Sequence, residues 1–355
     1  MKAPSHYYSD IQAETRWAPT TICTGGKSNH LFRVLAFRYD HTVVWSVEVR
    51  SMVDDGSILV TGAAGQVGSV GRTVTGLLLD RGFPVRAMVR REDERAAFLR
   101  AAGAQVVVGD LLEPGDVYRA VSGCGRVYFG MSVSAGYLEA AVTMAAVARE
   151  AGVSVLVNMS QMTVSEMSLQ NTTPSHQQRQ HWLSEQAFAW SGLPVVTIRP
   201  TMFLESFFQL AGRSIRDRDR IELPFGRGKT SPVAAADVAQ VVAAVLADPV
   251  PHLGWIYELT GPRSQDMDGI AREFSDALKR EVTYSDISPE EWEQMLNGQR
   301  MPEHLAGHLV AMGELHRAGR YDRQAGGIQA VTGRPAMSVR EFVSLYAEQF
   351  GGRRS

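Results

Sequence analysis

From Ser57 onward, short apolar runs alternate with longer stretches whose apolar residues recur at helical spacing. Ser57–Thr61 predicts a first strand, Val67–Leu79 a helix and Pro84–Val89 a second strand. Glu92–Ala102 predicts a helix stopped by Gly103, and Gln105–Val108 a third strand. A short helix near Asp116–Val121, a strand Arg126–Phe129 and an Ala-rich helix Tyr137–Ala151 follow, then a strand Val153–Val157, a helix Ser175–Ser191 and a strand Val195–Ile198. Runs of this length between helices mark strands buried on both faces, hence a parallel sheet with helices on either side. Right-handed crossovers then give an α/β, doubly wound Rossmann sheet.

The rhythm changes after Arg199-Pro200. Phe203, Phe207 and Phe208 lie at helical spacing, Arg213–Arg220 reads as a charged turn, and Asp237 is placed to cap a helix ending at Ala247. Trp255–Leu259 returns as a further strand of the sheet. Helices are then predicted near Ile270–Leu278, Pro289–Leu296, Glu303–Ala318 and Val339–Phe350. The division that follows is a dinucleotide-type domain over 56–200, completed by 235–260, and a smaller, mainly helical region from 201–234 and 261–355. Residues 1–55 lack this order. Apolar patches at Leu31–Phe37 and Thr42–Val49 allow an extra hairpin; the run Met52-Val53-Asp54-Asp55-Gly56 allows a native start at Met52, with a disordered or over-read arm before it.

Composition adds mainly exclusions. With 36 Lys+Arg against 38 Asp+Glu there is no bulk positive field for a nucleic-acid backbone. Two cysteines, Cys23 and Cys124, build neither a disulfide framework nor a zinc cluster, and no metal-ligand spacing occurs among the histidines. No apolar run reaches the length of a spanning helix. A cytoplasmic protein acting on a small molecule is expected, with its oligomeric state open.

The strongest chemical signal is Thr61-Gly62-Ala63-Ala64-Gly65-Gln66-Val67-Gly68, where the first strand meets the first helix. Gly62 permits a tight turn, Gly65 lets backbone approach a diphosphate, and Gly68 lets helix pack on strand. Ala64, Gln66 and Val67 complete a turn whose unpaired N–H groups and helix dipole suit an anion. Val89-Arg90-Arg91 ends the second strand, where a carboxylate would hold a ribose hydroxyl and an arginine a 2′-phosphate. NADP(H) is therefore expected over NAD(H). Asp110 and Leu111 are placed to edge an adenine, or simply to turn the chain; Met131 and Ser132 follow the fourth strand, on the nicotinamide side.

With these residues in place, the chain resembles the NmrA-like branch of the atypical short-chain dehydrogenase/reductases. Val60–Gly68, Val89-Arg90-Arg91, Gly109-Asp110-Leu111, Ile198–Phe203, Ala235–Ala239 and Tyr257–Pro262 carry the similarity, from Ser57 to near Phe350. It implies an NADP-binding domain with a small variable region over the nicotinamide, in a family of quinone and azo-compound reductases and of redox-sensing regulators. Working members of the wider superfamily often carry a Tyr-x-x-x-Lys pair; here Gln177 lies in the tyrosine place and His181, followed by Glu185, in the lysine place.

The candidate catalytic residues are Ser160, after the fifth strand, as a hydrogen-bonding hydroxyl, and His181, as a ribose ligand or a proton source near neutral pH. Gln161, Met162, Phe203 and Phe207 are candidate substrate-pocket residues. The leading expectation is an NADPH-dependent oxidoreductase acting on a small aromatic, quinone or azo acceptor. The rival is a non-catalytic NADP(H)-sensing regulator with a protein partner.

Overall fold

The computed structural model describes residues 30–39, 42–51, 56–65, 69–299 and 301–351. Two strands, β1 (His30–Tyr39) and β2 (Thr42–Ser51), pair antiparallel as a unit of their own, Tyr39 opposite Thr42. The segments flanking this hairpin, 1–29 and 52–55, lie outside the described residues.

The second unit begins with β3 (Ser57–Val60), α1 (Val70–Asp80), β4 (Val85–Val89), α2 (Glu94–Ala101) and β5 (Gln105–Val108). It continues through α3 (Pro114–Val121), β6 (Cys124–Phe129), α4 (Tyr137–Glu150), β7 (Val155–Met159), α5 (His176–Trp190) and β8 (Val195–Pro200). Then come α6 (Ser206–Leu210), α7 (Gly212–Arg218), β9 (Arg220–Leu223), α8 (Ala235–Ala247) and β10 (Ile256–Leu259). The chain closes with α9 (Met267–Leu278), β11 (Thr283–Asp286), α10 (Pro289–Gly298), α11 (Glu303–Arg317), α12 (Gly327–Thr332) and α13 (Val339–Leu345).

Seven strands form one parallel sheet in the order β10-β8-β7-β6-β3-β4-β5, so the order reverses between β3 and β6. Alternation along β3 explains both faces. Ile58 and Val60 pack with Val74 and Leu78 of α1 and Val238 and Val242 of α8. Leu59 points the other way, into a core with Phe129, Met144, Leu156 and Phe188 from the α3–α5 side. All of these side chains are buried, each contributing about 1.5–3 kcal/mol relative to exposure.

A further core, including Leu204, Phe207, Ile215, Phe274, Trp292 and Phe342, gathers residues from 202–225 and 267–350. Here the structure corrects two expectations. Arg213–Arg220 is no charged turn but α7 running into β9, because Ile215 is fully buried and Asp219, left-handed at φ 57, ends the helix. Strand β9 pairs in parallel with β11, Arg220 opposite Thr283, and neither strand is longer than its four residues. Asp237 does not cap α8 either: the helix begins at Ala235, and the Asp237 carboxylate accepts from the Met337 N–H at 2.7 Å. The capping acceptor is Glu205, both of whose oxygens lie 3.1 Å from the Ala235 nitrogen. Among the described residues no helix is long and apolar enough to cross a membrane.

Candidate cofactor and active site

The site lies at the carboxyl ends of β3 and β6, where the strand order reverses. Thr61, fully buried just past β3, latches the two strands: its hydroxyl donates to the Gly130 carbonyl and accepts from the Gly130 N–H, both at 2.9 Å. Gly62 then turns at φ +65, and a Cβ there would sit 2.6 Å from the Gly130 oxygen, so no other residue fits. The Gly65 N–H closes the turn on the Gly62 carbonyl at 3.0 Å. Ala64 is half-buried beside it; Gln66, Val67 and Gly68 lie outside the described residues.

Among the described residues, no side chain caps the helix that follows. Ser69 precedes it in left-handed backbone with no side-chain cap, and no acidic residue occupies the first turn. Its N–H groups and positive dipole end are left for an anion. The glycine that lets α1 press on the turn is one the sequence reading missed. A Cβ on Gly71 would meet Gly62 and Thr61 backbone atoms at 2.9 Å. Its signal was present as Val70-Gly71-Arg72, but a glycine inside a helix reads as a weak former rather than as a contact. The cradle thus fits a dinucleotide diphosphate: bare backbone, positive φ and an open helix end converge.

Beyond β4, Arg90 and Arg91 are exposed, and Arg90 Nε stands 3.6 Å from Asp110 Oδ2. Arg95, also missed, reaches back from the first turn of α2 and donates from Nη1 to the Ala64 carbonyl at 2.9 Å. Asp93 holds it through Nε at 3.0 Å while capping α2 at the Arg95 and Ala96 N–H groups. Asp110 accepts from Leu112 N–H, Asp116 accepts from Asp110 N–H, and Leu111 packs partly on the core, so this segment is a tight turn. Met131 is half-buried after β6, and Ser132 is exposed.

His181 lies half-buried on α5, its ring 4.1 Å from that of Tyr137 on α4. Burial, with His308 nearby, pulls its pKa down to about 3. The neutral ring accepts at Nε2 from the Gln177 amide at 3.2 Å, which puts its proton on Nδ1. The expected proton source near neutral pH is thereby corrected: a ring neutral down to this range can donate a hydrogen bond but holds no imidazolium proton. Gln177 itself is buried and accepts from the Ser134 N–H at 3.2 Å, tying α5 to the loop after β6. Tyr137 donates its hydroxyl to the Met159 carbonyl at 2.9 Å, and burial raises its pKa well above the ordinary value.

Ser160 is 4% exposed, and its Oγ has no partner among the described residues; Thr163 Oγ1, one turn on, is likewise buried and unpartnered. Gln161 is half-buried at the start of a 3-10 helix, Met162–Glu166. Two pocket expectations fail on burial. Met162 is fully enclosed, and Phe207 belongs to the helical core, 5.6 Å from the Phe274 ring. Phe203 is half-buried against the sheet core. Arg199 and Glu185 form a two-bonded ion pair, with Arg199 Nε 3.0 Å from Glu185 Oε1, locking β8 to α5.

Comparison with known proteins agrees with this geometry. The family model described as NAD(P)H-binding matches residues 62–249. The chain is 31% identical over 299 residues to an NAD(P)H azoreductase of Xenophilus azovorans, covering 83% of this chain and 99% of that protein. It is 30% identical over 293 residues to a (4-alkanoyl-5-oxo-2,5-dihydrofuran-3-yl)methyl phosphate reductase of Streptomyces griseus, covering 82% and 99%. A solved NADPH-dependent quinone oxidoreductase from Escherichia coli, complexed with NADPH, shares the fold with a TM-score of 0.72 at 23% identity, over 82% of this chain and 99% of that one. The chain belongs to the NAD(P)H-binding family, within the NmrA-like, atypical short-chain dehydrogenase/reductases, and is an oxidoreductase.

Proposed function

We propose that this chain is an NADPH-dependent oxidoreductase that reduces a small aromatic acceptor of the quinone or azo type. The observation that carries the cofactor half is the cradle in which Gly62 leaves no room for a side chain against Gly130. Gly62, Gly65 and the open start of α1 hold the diphosphate, while Arg90, Arg91 and Arg95 gather cationic charge beyond β4 for a 2′-phosphate. Asp110 keeps Arg90 in place, and Met131 and Ser132 border the nicotinamide side. The cofactor, when bound, supplies hydride.

The protein's own part is then to orient and to exclude. His181 offers Nδ1–H to a ribose hydroxyl, backed by Tyr137. Ser160 offers a hydroxyl to the acceptor. Gln177, bonded to both His181 and Ser134, occupies the place of an acid and is not one. An acceptor that takes its proton from water suits such a site, as conjugated quinones and azo compounds do. The azoreductase and phosphate-reductase relatives support this reading over the sensing one.

The test is the absorbance of NADPH and NADH with quinones, azo dyes and simple carbonyls. Acceptor-dependent oxidation is expected with the first two classes and little with carbonyls; tight NADPH binding with no turnover on any of them supports the regulator instead. Arg90→Ala should weaken NADPH binding about tenfold and NADH little, the scale of one charge-assisted contact. Equal losses for both would remove the NADP preference.

A further inference from the structure

We propose that Arg320 and Arg323 form a subsite for an oxyanion, a sulfonate or phosphate carried by the acceptor. This inference rests on the reductase reading and narrows its substrate class. Both guanidinium groups converge on one carboxylate: Arg320 Nε contacts Glu166 Oε2, and Arg323 Nη2 contacts Glu166 Oε1. Glu166 ends the 3-10 helix that leaves β7 through Ser160 and Thr163. The arginines therefore stand at the same end of the sheet as the glycine cradle.

The loop that carries them is pinned on both sides. Tyr321, between the two arginines, is buried and stacks on His316 at 3.9 Å, which stacks in turn on Phe225 at 3.7 Å. Asp322 accepts from Ser264, and Ala325 bonds in both directions with the Thr260 hydroxyl just past β10. Farther on, a Cβ on Gly327 would meet the Glu258 carbonyl at 2.5 Å, so α12 starts hard against that strand. The subsite is thus built on backbone fixed to β10, not on a free surface turn.

The sharing of one carboxylate decides between tether and receptor. Two guanidinium groups contact the single Glu166 carboxylate, so neither has a carboxylate to itself there. Asp322 balances the formal charge of the loop, and its carboxylate accepts from Ser264. The arginine side chains are 19% and 25% exposed and the Glu166 side chain 39%, so the carboxylate is the member that solvent reaches most easily. Partly desolvated guanidinium groups cost free energy unless their donors are satisfied, and their planar forks match a sulfonate or phosphate. Glu166 keeps both forks oriented until a ligand oxyanion shares them.

The experiment is titration calorimetry on the full chain saturated with NADP⁺, using naphthalene-2-sulfonate and its neutral analogue naphthalene-2-sulfonamide, neither of which needs turnover. The sulfonate is expected to bind at least tenfold more tightly, the gap shrinking in strong salt. Arg320→Gln or Arg323→Gln should close the gap, Arg323→Lys should keep part of it, and Glu166→Gln should tighten sulfonate binding severalfold. NADP⁺ affinity should not change in any of these variants. Equal affinity for the two ligands, binding of neither, or a gap that survives both Arg→Gln changes would overturn the subsite. Sulfonate preference without NADPH oxidation on any acceptor would retain the subsite and sink the reductase reading.

Discussion

Two glycines of α1 meet opposite surroundings, and that contrast isolates what the cofactor turn demands. Gly71 has Thr61 and Gly62 backbone within 2.9 Å of where its Cβ would be, whereas Gly76, five residues on in the same helix, has nothing within 4 Å. Gly76→Ala should therefore stabilise the fold by up to about 1 kcal/mol through helix propensity alone. Gly71→Ala must push the helix start off the strand end, costing about 1–3 kcal/mol as overpacking does, and should weaken NADPH binding at least tenfold. Thermal unfolding and calorimetry of the pair check both signs; equal cofactor affinity in the two variants would show that the close approach is unimportant for binding. The turn was legible in the sequence because strand, glycines and helix are contiguous. Gly71 and Arg95 were not, since their role depends on atoms brought in from Thr61 and Ala64 by folding.

Elements whose signal is local were read correctly, while those depending on distant partners were not. Each strand of the parallel sheet announced itself as an apolar run, but β9 and β11 are four residues long and, among the described residues, pair only with each other. Helix α8 makes the same point at its start. Asp237 looked like its cap from sequence spacing, yet the acceptor comes from Glu205, 30 residues earlier in the chain. Burial lifts the Glu205 carboxyl from 4.5 to about 7. Its folded-state pKa lies above the unfolded value, so the folded chain holds a proton that the unfolded chain releases. The stability this contributes is full below pH 4.5 and is lost as the pH rises through 7. Glu205→Gln keeps an acceptor for the Ala235 N–H without the buried charge. It should leave the melting temperature nearly unchanged at pH 5 and raise it at pH 8, by no more than about 3 kcal/mol of stability. A melting difference independent of pH would mean that Glu205 stays ionised throughout.

Across the whole molecule, three imidazoles, His316 fully buried and two half-buried, make the fold sensitive to acid. His181 on α5, and His308 and His316 on α11, have pKa values lowered by burial to about 3, 4 and 3. Each has a structural reason to stay neutral. His181 accepts from Gln177, His308 Nδ1 lies 3.0 Å from the Ser175 hydroxyl that caps α5, and His316 is held between two aromatic rings. The sign here is opposite to that of Glu205. The unfolded chain takes up protons near pH 6.5 that the folded chain refuses, so this stability is present above 6.5 and falls as pH drops towards 4. By pH 5 each imidazole withdraws about 2 kcal/mol, a large share of the usual 5–15 kcal/mol for a domain. His316→Phe keeps a flat ring between Phe225 and Tyr321 and removes the titrating nitrogen, at the expense of the bond to the Met312 carbonyl. Denaturant unfolding at pH 5 and pH 7.5 should show the variant losing less stability on acidification than the parent. Because Tyr321 sits between Arg320 and Arg323, local opening of the stack, which lets His316 take a proton at its ordinary pKa, should cost the parent its sulfonate binding before it unfolds globally. If binding and the global transition fall together across the acid range in both proteins, the stack does not support the loop independently of the fold.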